Sequence, residues 1–597
     1  MPTNSKPRFL ITTADERSWE FNRPVIFLGE WCTKYARKNV WENMDASICK
    51  ANRPEGKFFN IKDHDYLHSL YERILFQLSM KLNEIHCIDH GLRYWRVLLA
   101  PWLMCFVPII FHRWESIKNA LLSFDISDTI ILDFNKSEFV LQGTHEINRI
   151  LNGDEWNHFI FGLILKSMGF NSFRNKTIDK KNDYLENTYP SALWREKMKD
   201  MVGLITNSFS REKDSFLLGT YLTFFTEKKH EILLGQFPQY WTKPIIEKIS
   251  VEYSQRNWSL DFPDNGAFER FLLSLIPKNI PVLYLEGYKK LINCTESLSW
   301  PKKPKMIFSA NMLWWNPVAM AYTAEKIEKK STLVYAQHGS TYGMMRNKWM
   351  EEHELKIADK YITWGWTEAE QSDLSSKISP IGVLKPIRRK RPSRRNAVNL
   401  LIVTVSGPRY VFRYEAGRDM PFYIRYCLSF VDNFVGSHIY QSMIIRLFPP
   451  AFPGNPSNYG WDEEQRWRDL HPNVVIDTGK KPLRKTENTA KLVVHTYSGS
   501  TAFLENIVSN IPCILLDMEE LELYRENTIP YILELKRVGI YHHSTKSAAE
   551  HVKKIWEDVD AWWDSDVVQT VLKKFTNNYC KINKNQLFEI HKLLKNS

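Results

Sequence analysis

Residues 492–516 read LVVHTYSGSTAFLENIVSNIPCILL: an apolar run, a group of hydroxyl residues with one glycine, an amphipathic stretch and a second apolar run. This order predicts a strand, a helix and a second strand. The hydroxyl residues fall where the helix would begin. The first backbone N–H groups of a helix lack partners and carry the positive end of its dipole. The turn is therefore typical either of a capped helix start or of a cradle for an anion such as phosphate.

The same alternation of strands and helices runs through the C-terminal part of the chain and predicts a doubly wound parallel sheet. The strand candidates are NLLIVTVSGP (399–408), SMIIRLFPP (442–450), NVVIDTG (473–479), KLVVHTYSGS (491–500) and PCILLD (512–517). In the N-terminal part, strands are predicted around a helix-rich region of about residues 65–275. They are RFLITTADERSW (8–19), PVIFLGEWC (24–32), PVLYLEGYKKLI (281–292), a βαβ unit in 305–343 and KYITWGW (360–366).

We therefore predict an α/β protein of GT-B type, with two Rossmann-like halves facing a central cleft, in which ligands bind outside the carboxyl ends of the strands. The step to GT-B is an analogy of fold. The predicted division is an N-terminal acceptor domain with a helical insertion (1–384), a basic linker (385–396), a C-terminal donor domain (397–560) and C-terminal helices (561–597).

The chain has 597 residues and a net charge of +12, to which KPIRRKRPSRRN (385–396) contributes seven basic residues and no acid. Such a run is typical of a solvated linker, and a dock for anionic lipid or polymer is the alternative. We expect no nucleic-acid partner, because no nucleic-acid-binding motif accompanies it.

Eight scattered cysteines favour a reducing compartment over a disulfide framework or a zinc site, and the N-terminus has no signal pattern. The apolar run VLLAPWLMCFVPIIF (97–111) is too short to span a bilayer and predicts a buried core segment, with shallow membrane contact as the alternative. We expect a cytoplasmic protein, with peripheral association with the inner membrane left open.

Three strand ends carry candidate donor-binding groups. At the first, Ser498, Ser500 and Thr501 could hold a phosphate beside Gly499, or could form a plain helix cap in which Thr501 pairs with Glu505. His495 could bond to a phosphate or a base, or be structural. At the second, the Gln337-His338-Gly339 loop suits general acid–base chemistry at His338, although a loop histidine without a role is nearly as common. At the third, Arg446 could pair with a phosphate or form a structural salt bridge.

In the N-terminal half, Glu30 and the group Asp154, Glu155 and His158 are candidates for the base or nucleophile of glycosyl transfer, although each alone is more often structural. No spacing of histidine, aspartate or cysteine resembles a metal site. We therefore expect no metal and no cofactor.

Several motifs together resemble a bacterial surface-carbohydrate family, the transferases of O-antigen and capsule clusters. They are FLITTADERSW, VIFLGEWC, LYERILFQLSMKLNEIH, LRYWRVLLAPWL, FHRWESI, DEWNHFIFG, QHGSTYG, NYGWDEEQRW and VVHTYSGSTAFLE, spread over about residues 8–575. The resemblance implies a GT-B transferase. It extends to capsular pseudaminic-acid transferases and, more distantly, to Kdo and sialic-acid transferases, which use CMP-activated sugar acids.

Carried over to this chain, the family motifs fall on three places. The Gln-His-Gly loop falls on Gln337, His338 and Gly339, and the GEW motif falls on Gly29, Glu30 and Trp31. The helix-start motif falls on His495, Thr496, Tyr497, Ser500 and Thr501, where the resemblance implies contacts with the CMP phosphate. The chain departs from the family after Arg446, where RLFPPAFPGNPSNYGW lacks the His-Asp pair of the family pattern. Donor contacts through such a pair are therefore not carried over.

The sequence thus predicts a glycosyltransferase that moves a nonulosonic acid from a CMP donor to a glycan or lipid-linked glycan of capsule or lipopolysaccharide. A retaining outcome is implied by the resemblance alone. Two alternatives stay open. One is a CDP-polyol phosphotransferase or UDP-sugar enzyme on the same architecture, and the other is a non-catalytic assembly scaffold whose basic linker recruits anionic lipid or polymer.

Overall fold

The computed structural model describes residues 7–50, 61–178, 201–203, 206, 209–240, 244, 246–263, 265–388, 391, 397–411, 419–449 and 460–597. Within these ranges the strands form three parallel sheets in chain order, with helices between most consecutive strands. Parallel strands buried on both faces read as continuous apolar runs, which is why most of these strands were visible in the sequence.

The first sheet has the strand order β3-β2-β1-β4-β5, in which the chain reverses direction beside β1. Its strands are β1 (Arg8–Ile11), β2 (Val25–Phe27), β3 (Ala46–Ile48), β4 (Ile126–Asp133) and β5 (Phe173–Thr177). Its α-helices are Lys38–Trp41, Ile61–His86, Leu92–Ser123, Ile147–Ile150 and Asp154–Ser167.

The second sheet winds in one direction, with the strand order β10-β9-β8-β7-β6. Its strands are β6 (Phe216–Leu218), β7 (Met306–Ser309), β8 (Thr332–Ala336), β9 (Lys360–Ile362) and β10 (Ile378–Ser379). The α-helices of this region are Phe224–Leu233, Ala267–Asn279, Tyr288–Ser297, Met312–Trp315, Pro317–Glu328 and Trp349–Ile357.

The third sheet has the order β13-β12-β11-β14-β15-β16, the Rossmann order with its switch point between β11 and β14. Its strands are β11 (Asn399–Val403), β12 (Met443–Arg446), β13 (Val475–Asp477), β14 (Ala490–His495), β15 (Cys513–Leu516) and β16 (Tyr541–His542). The α-helices of this region are Met420–Asp432, His438–Gln441, Glu463–Leu470, Leu483–Glu487, Thr501–Val508, Ile529–Arg537, Thr545–Ile555, Val559–Trp563, Asp566–Tyr579 and Gln586–Lys595.

The predicted α/β class of GT-B type, with Rossmann-like units facing a cleft, is confirmed. The structure adds that the first 384 residues supply two separate parallel sheets. The prediction of a strand in 281–292 is wrong, because this segment forms a short 3-10 helix, Val282–Tyr284, and the helix Tyr288–Ser297. Its buried residues Tyr284, Tyr288 and Leu291 have helical spacing, which the short apolar run concealed.

The predicted basic linker is described only in part. Lys385 pairs with Glu505, and Arg391 pairs with Asp560 and with Asp564, the latter at 2.7 Å. Residues 389–390 and 392–396 lie outside the described residues, as do residues 450–459, which hold the departure from the family pattern. The domain boundaries at 384, 396 and 560 remain predictions.

The helix Leu92–Ser123 contains the apolar run 97–111 and packs against the helices Ile61–His86 and Pro317–Glu328. Of the helices in the described residues, it is the one long and apolar enough to cross a membrane, with a mean hydropathy of 1.7 over its most apolar window. That window is entirely buried inside the protein, as in the core helix of a globular domain. The helix therefore joins the first sheet to the second through their shared core.

We expect Trp102→Ala to lower stability by about 3–5 kcal/mol, because the indole is fully buried and stacks on Phe106 at 5.1 Å. The measurement is the thermal unfolding midpoint of the purified protein. Leu122→Ala is the matched control, because Leu122 belongs to the same helix but is 79% exposed and should change the midpoint little. Equal effects of the two substitutions would contradict the assignment of this helix to the core.

Candidate functional site

The turn after β14 begins the helix Thr501–Val508, as the sequence predicted. Ser500 is the N-cap, and its hydroxyl accepts a hydrogen bond from the Phe503 amide at 3.4 Å. The first turn of this helix contains no acidic residue, so no side-chain charge offsets the positive end of its dipole there. Gly499 is exposed and Thr501 is half-buried. The open side of the turn can therefore approach an anion.

His495 and Thr496 hold the turn from behind. His495 is fully buried between the Ser500 hydroxyl (3.0 Å from Nδ1) and Asn506 (3.1 Å from Nε2), and burial lowers its pKa to about 3. The imidazole is therefore neutral at pH 7. Thr496 bonds to the Val403 carbonyl at 3.0 Å and to Tyr423. Both residues fix the shape of the turn at the switch point, and their direct contact with a donor remains a prediction.

The rest of the turn borders the second sheet. The Ser498 amide donates to Asp517 at 3.3 Å, and its hydroxyl lies 3.9 Å from the sulfur of Met345, in the loop after β8. Tyr497 is half-buried. Glu505 is half-buried and faces Lys385, so it belongs to an ion pair on the side of the helix.

The loop after β8 contains the predicted Gln337-His338-Gly339 motif. Gln337 is buried, and its side chain donates to the Gly339 carbonyl (2.8 Å) and accepts from the Trp364 amide (2.9 Å) and the Trp366 indole (2.8 Å). The amide of Gln337 is therefore used by the protein to hold the loop in place. His338, in contrast, is half-buried at the mouth of the loop.

His338 belongs to a cluster built from three neighbouring strand ends. Tyr221 follows β6 and lies parallel to the imidazole, with ring centroids 6.3 Å apart. Asn311 follows β7 and donates to the Tyr221 hydroxyl at 2.9 Å. Behind them, Glu354 is buried with a carboxylate oxygen 3.4 Å from His338 Nδ1. A carboxylate that orients an exposed imidazole is the arrangement of general acid–base catalysts.

Two features show how firmly this cluster is held. Tyr221 has a positive φ of 62°, which is strained for a bulky residue and is characteristic of functional sites. Glu354 also accepts hydrogen bonds from Tyr342 (3.1 Å) and Tyr361 (2.6 Å), so its position does not depend on His338. The sequence gave no signal for Tyr221, Asn311 or Glu354, because they lie far apart along the chain in unremarkable segments.

Buried polar contacts join the two loops across the cleft. The Arg525 amide donates to the Met344 carbonyl at 2.9 Å and the Arg346 amide to the Leu523 carbonyl at 2.8 Å. The Arg525 guanidinium bonds at 2.5 Å to buried Glu351, which also accepts the Gly343 amide at 2.7 Å. These contacts bring the loop that starts at Gln337 and the turn after β14 to the same cleft.

Arg446, at the end of β12, is buried in contacts within the third sheet. It bonds to Asp477 at 2.7 Å and to the carbonyls of Gly479 (3.3 Å) and Lys481 (2.6 Å). In this arrangement Arg446 orders the loop after β13. A contact between Arg446 and a donor remains a prediction.

The four N-terminal candidates lie on the opposite side of the third sheet, apart from the His338 cluster. Glu30 pairs with Arg425 at 3.1 Å and Glu155 with Arg17 at 2.6 Å. His158 is buried, bonded to Thr12 (3.0 Å) and the Leu132 amide (3.1 Å), and burial lowers its pKa to about 4.

Asp154 is the centre of the contact between the first and third sheets. Its carboxylate bonds to Arg409 (2.7 Å) and Tyr410 (2.5 Å) and pairs with Lys34 (3.1 Å). Burial alone would raise the pKa of Asp154, but the charges of Arg409 and Lys34 hold it well below its usual range. Asp154 is therefore an ionised link between two sheets, and a catalytic role for it remains a prediction.

A further titratable group lies at the carboxyl end of β11. Glu463 is buried and accepts a hydrogen bond from Ser406 at 2.5 Å, and burial raises its pKa to about 7. It belongs to the NYGWDEEQRW motif, whose position in the sequence could have indicated it. A carboxyl group poised near neutral pH in a cleft is a candidate acid or base.

Among the described residues, one group has the geometry of a metal site: His68, Glu72 and Glu352. Its carboxylates already face cations, because Arg96 pairs with Glu72 at 2.6 Å and Lys356 with both glutamates at 2.9 and 2.5 Å. These contacts make the group an ion-pair network in this structure.

Rossmann-like units with an open helix start on one side of a cleft and an oriented imidazole on the other define a transferase with a GT-B glycosyltransferase fold. The chain belongs to the LIC12162 family of transferases, whose pattern matches residues 8–594. No curated protein sequence is significantly similar to it.

Solved structures resemble the chain only distantly. The wall teichoic acid polymerase TagF is 10% identical with a TM-score of 0.31, covering 68% of this chain and 94% of its own. The UDP-GlcNAc 2-epimerase of Methanocaldococcus jannaschii in complex with UDP-GlcNAc and UDP is 14% identical (TM-score 0.32), covering 64% of this chain and 99% of its own. The spinosyn rhamnosyltransferase SpnG is 12% identical (TM-score 0.29), covering 52% of this chain and 76% of its own. At this level of similarity they give no information about the substrate of this chain.

We expect Asp154→Asn to lower stability at pH 7 by about 3–5 kcal/mol, because it leaves the buried Arg409 without its counter-charge. A carboxylate whose folded pKa is depressed stabilises the protein above its unfolded pKa of about 3.9, and this contribution is lost as the pH falls through the folded pKa. The difference between wild type and variant should therefore narrow below about pH 4. Thermal unfolding midpoints from pH 7 to pH 3 measure it.

The matched control adds Arg409→Met to Asp154→Asn, which removes the stranded charge and should recover part of the lost stability. A pH-independent difference, or no recovery in the double variant, would contradict the proposed role of this pair.

Proposed function

We propose that the chain is a glycosyltransferase that transfers a sugar from a nucleotide-activated donor to a glycan acceptor. One observation carries the proposal. The uncompensated helix start at Thr501 lies at the Rossmann switch point of the third sheet, and the loop of His338 meets that region across the cleft. A helix start of this kind binds phosphate, and an imidazole backed by a carboxylate can move a proton. Transfer from a nucleotide sugar needs both.

For the donor we propose a CMP-activated nonulosonic acid. Its support is the resemblance of the turn to the HTY-x-S-T motif of CMP-sugar transferases and the anionic character of such a donor, which suits a chain with a net charge of +12. In this turn Ser500 fixes the geometry, while Gly499 and Thr501 lie on its accessible side. Binding of the CMP phosphate by these residues requires no metal ion.

For the acceptor we propose a hydroxyl of a glycan or lipid-linked glycan of the cell surface. His338 would accept the proton of that hydroxyl, with Glu354 holding the imidazole through Nδ1. A retaining outcome would also require a carboxylate nucleophile or a rebound from one face of the donor. Glu30, Asp154 and Glu155 remain candidates, each held by an arginine in this structure.

The first test is a panel of CMP, CDP, UMP, UDP, GDP and dTDP in a thermal-shift measurement. A ligand at 100 times its dissociation constant stabilises the folded protein by about 2.7 kcal/mol, and we expect this shift with CMP. Thr501→Val should weaken the effect of CMP, because it removes a hydroxyl from the accessible side of the turn at constant shape. A shift with UDP alone would replace the CMP proposal while retaining a nucleotide donor.

Ser500→Ala combined with Thr501→Ala should abolish the CMP shift. Loss of an N-cap costs about 1 kcal/mol in itself, so the control is Ser544→Ala, which removes the cap of the helix Thr545–Ile555. CMP affinity that is unchanged in the double variant would refute the phosphate site. No shift with any nucleotide would favour a scaffold without catalytic activity.

We expect Glu354→Gln to lower kcat roughly 10- to 100-fold with little change in KM, because the imidazole loses the carboxylate that orients it and stabilises its protonated form. Turnover is measured by release of nucleotide from the donor found in the panel. Tyr361→Phe is the control, since it removes a hydrogen bond from the oxygen of Glu354 that faces away from His338. Equal losses in both variants would indicate a structural role for Glu354.

A further inference from the structure

The helix Phe224–Leu233 is polar on its inner side and apolar on its outer side. Its exposed residues are four apolar side chains and one lysine: Phe224, Phe225, Lys229, Ile232 and Leu233. Its inner side carries His230 and Glu231, both fully buried, with Glu231 paired to Lys228 at 3.0 Å. A helix on a globular protein usually has the opposite orientation. This outer side is therefore built to contact something other than water.

The helix Gln586–Lys595 packs against it and continues the same character. Its exposed residues are Phe588, Lys592 and Lys595, which have the spacing of a single helical face. In these two helices, both described throughout, no acidic residue is exposed. Phe225 is 83% exposed and Phe588 68% exposed. We call the exposed residues of the two helices the two-helix surface.

The surface extends past the end of the first helix. Phe237 is exposed, and its ring centroid lies 5.2 Å from that of Phe209, which is exposed as well. A contiguous exposed group of aromatic and aliphatic side chains marks an interaction site rather than chance exposure.

We propose that the two-helix surface docks on a lipid bilayer with anionic headgroups. Exposed phenylalanine and isoleucine side chains can enter the boundary between headgroups and acyl chains, while lysines extend to the anionic headgroups. Lys229, Lys592 and Lys595 meet no exposed acid on either helix, so their charge is available for this attraction. Docking here leaves the apolar helix Leu92–Ser123 in the protein core, where it is buried.

The charge pattern also distinguishes a membrane from a second copy of the chain. A twofold contact through this surface would place the exposed lysines of one copy against those of the other, without exposed acids on these helices to pair with them. An anionic bilayer matches the same lysines with opposite charge.

The test is co-sedimentation of the full-length protein with vesicles of phosphatidylcholine alone or with 30% phosphatidylglycerol. We expect binding to the mixed vesicles and little to the neutral ones. Phe225→Ser with Ile232→Ser should weaken binding about tenfold or more through lost apolar burial. Lys592→Gln with Lys595→Gln should weaken it severalfold at low salt and less at high salt.

The matched control is Leu122→Ser, which removes an equally exposed apolar side chain from a helix outside this surface and should leave binding unchanged. Nucleotide-induced thermal shifts of each variant report that the fold is intact, and vesicle binding does not depend on the proposed enzymatic function. Unchanged binding in the Phe225–Ile232 double variant would overturn the proposal. So would binding lost only when residues 385–396 are neutralised, or self-association that the same double variant abolishes.

Discussion

Two buried pairs of arginine and carboxylate hold the third sheet against the other two. Arg409 binds Asp154 of the first sheet region, and Arg525 binds Glu351 of the second. Strand carboxyl ends carry loops with polar backbone groups, so sheets that face one another at these ends cannot be joined by apolar packing alone. A buried charge pair holds its geometry only when each partner is fully bonded, and Tyr410 and the Gly343 amide complete the two sets. The position of the cleft follows from these two links.

The sequence predicted most of the fold because parallel strands bury both faces and read as short apolar runs ending in polar residues. It missed β6 and β16, which are three and two residues long and give no detectable pattern. It also placed a strand at 281–292, where an apolar run after a proline was ambiguous between strand and helix. The division of the first half into two sheets depends on contacts between distant segments, which a single sequence does not contain.

For the site, the sequence located the loops but not the partners within them. The turn at 496–501 and the loop at 337–339 were visible because hydroxyls, glycine and histidine are unusual directly after apolar runs. Glu354 was not, since a glutamate in the helical segment WMEEHELKI is ordinary until its neighbours are known. The same ignorance of partners made Asp154 resemble a free catalytic carboxylate, whereas four groups of the protein engage it, from Lys34, Arg409 and Tyr410.

The hydroxyl residues of the opening stretch divide into two functions that the sequence presents as one. Thr496 and Ser500 are buried and consumed by contacts with Tyr423 and His495, which fix the turn before any ligand arrives. Thr501 stays at the accessible edge. A turn fixed in advance loses little conformational entropy when an anion binds, so more of the interaction energy remains for affinity. The number of hydroxyls in such a turn therefore reflects the rigidity of the phosphate site more than the number of its contacts with the ligand.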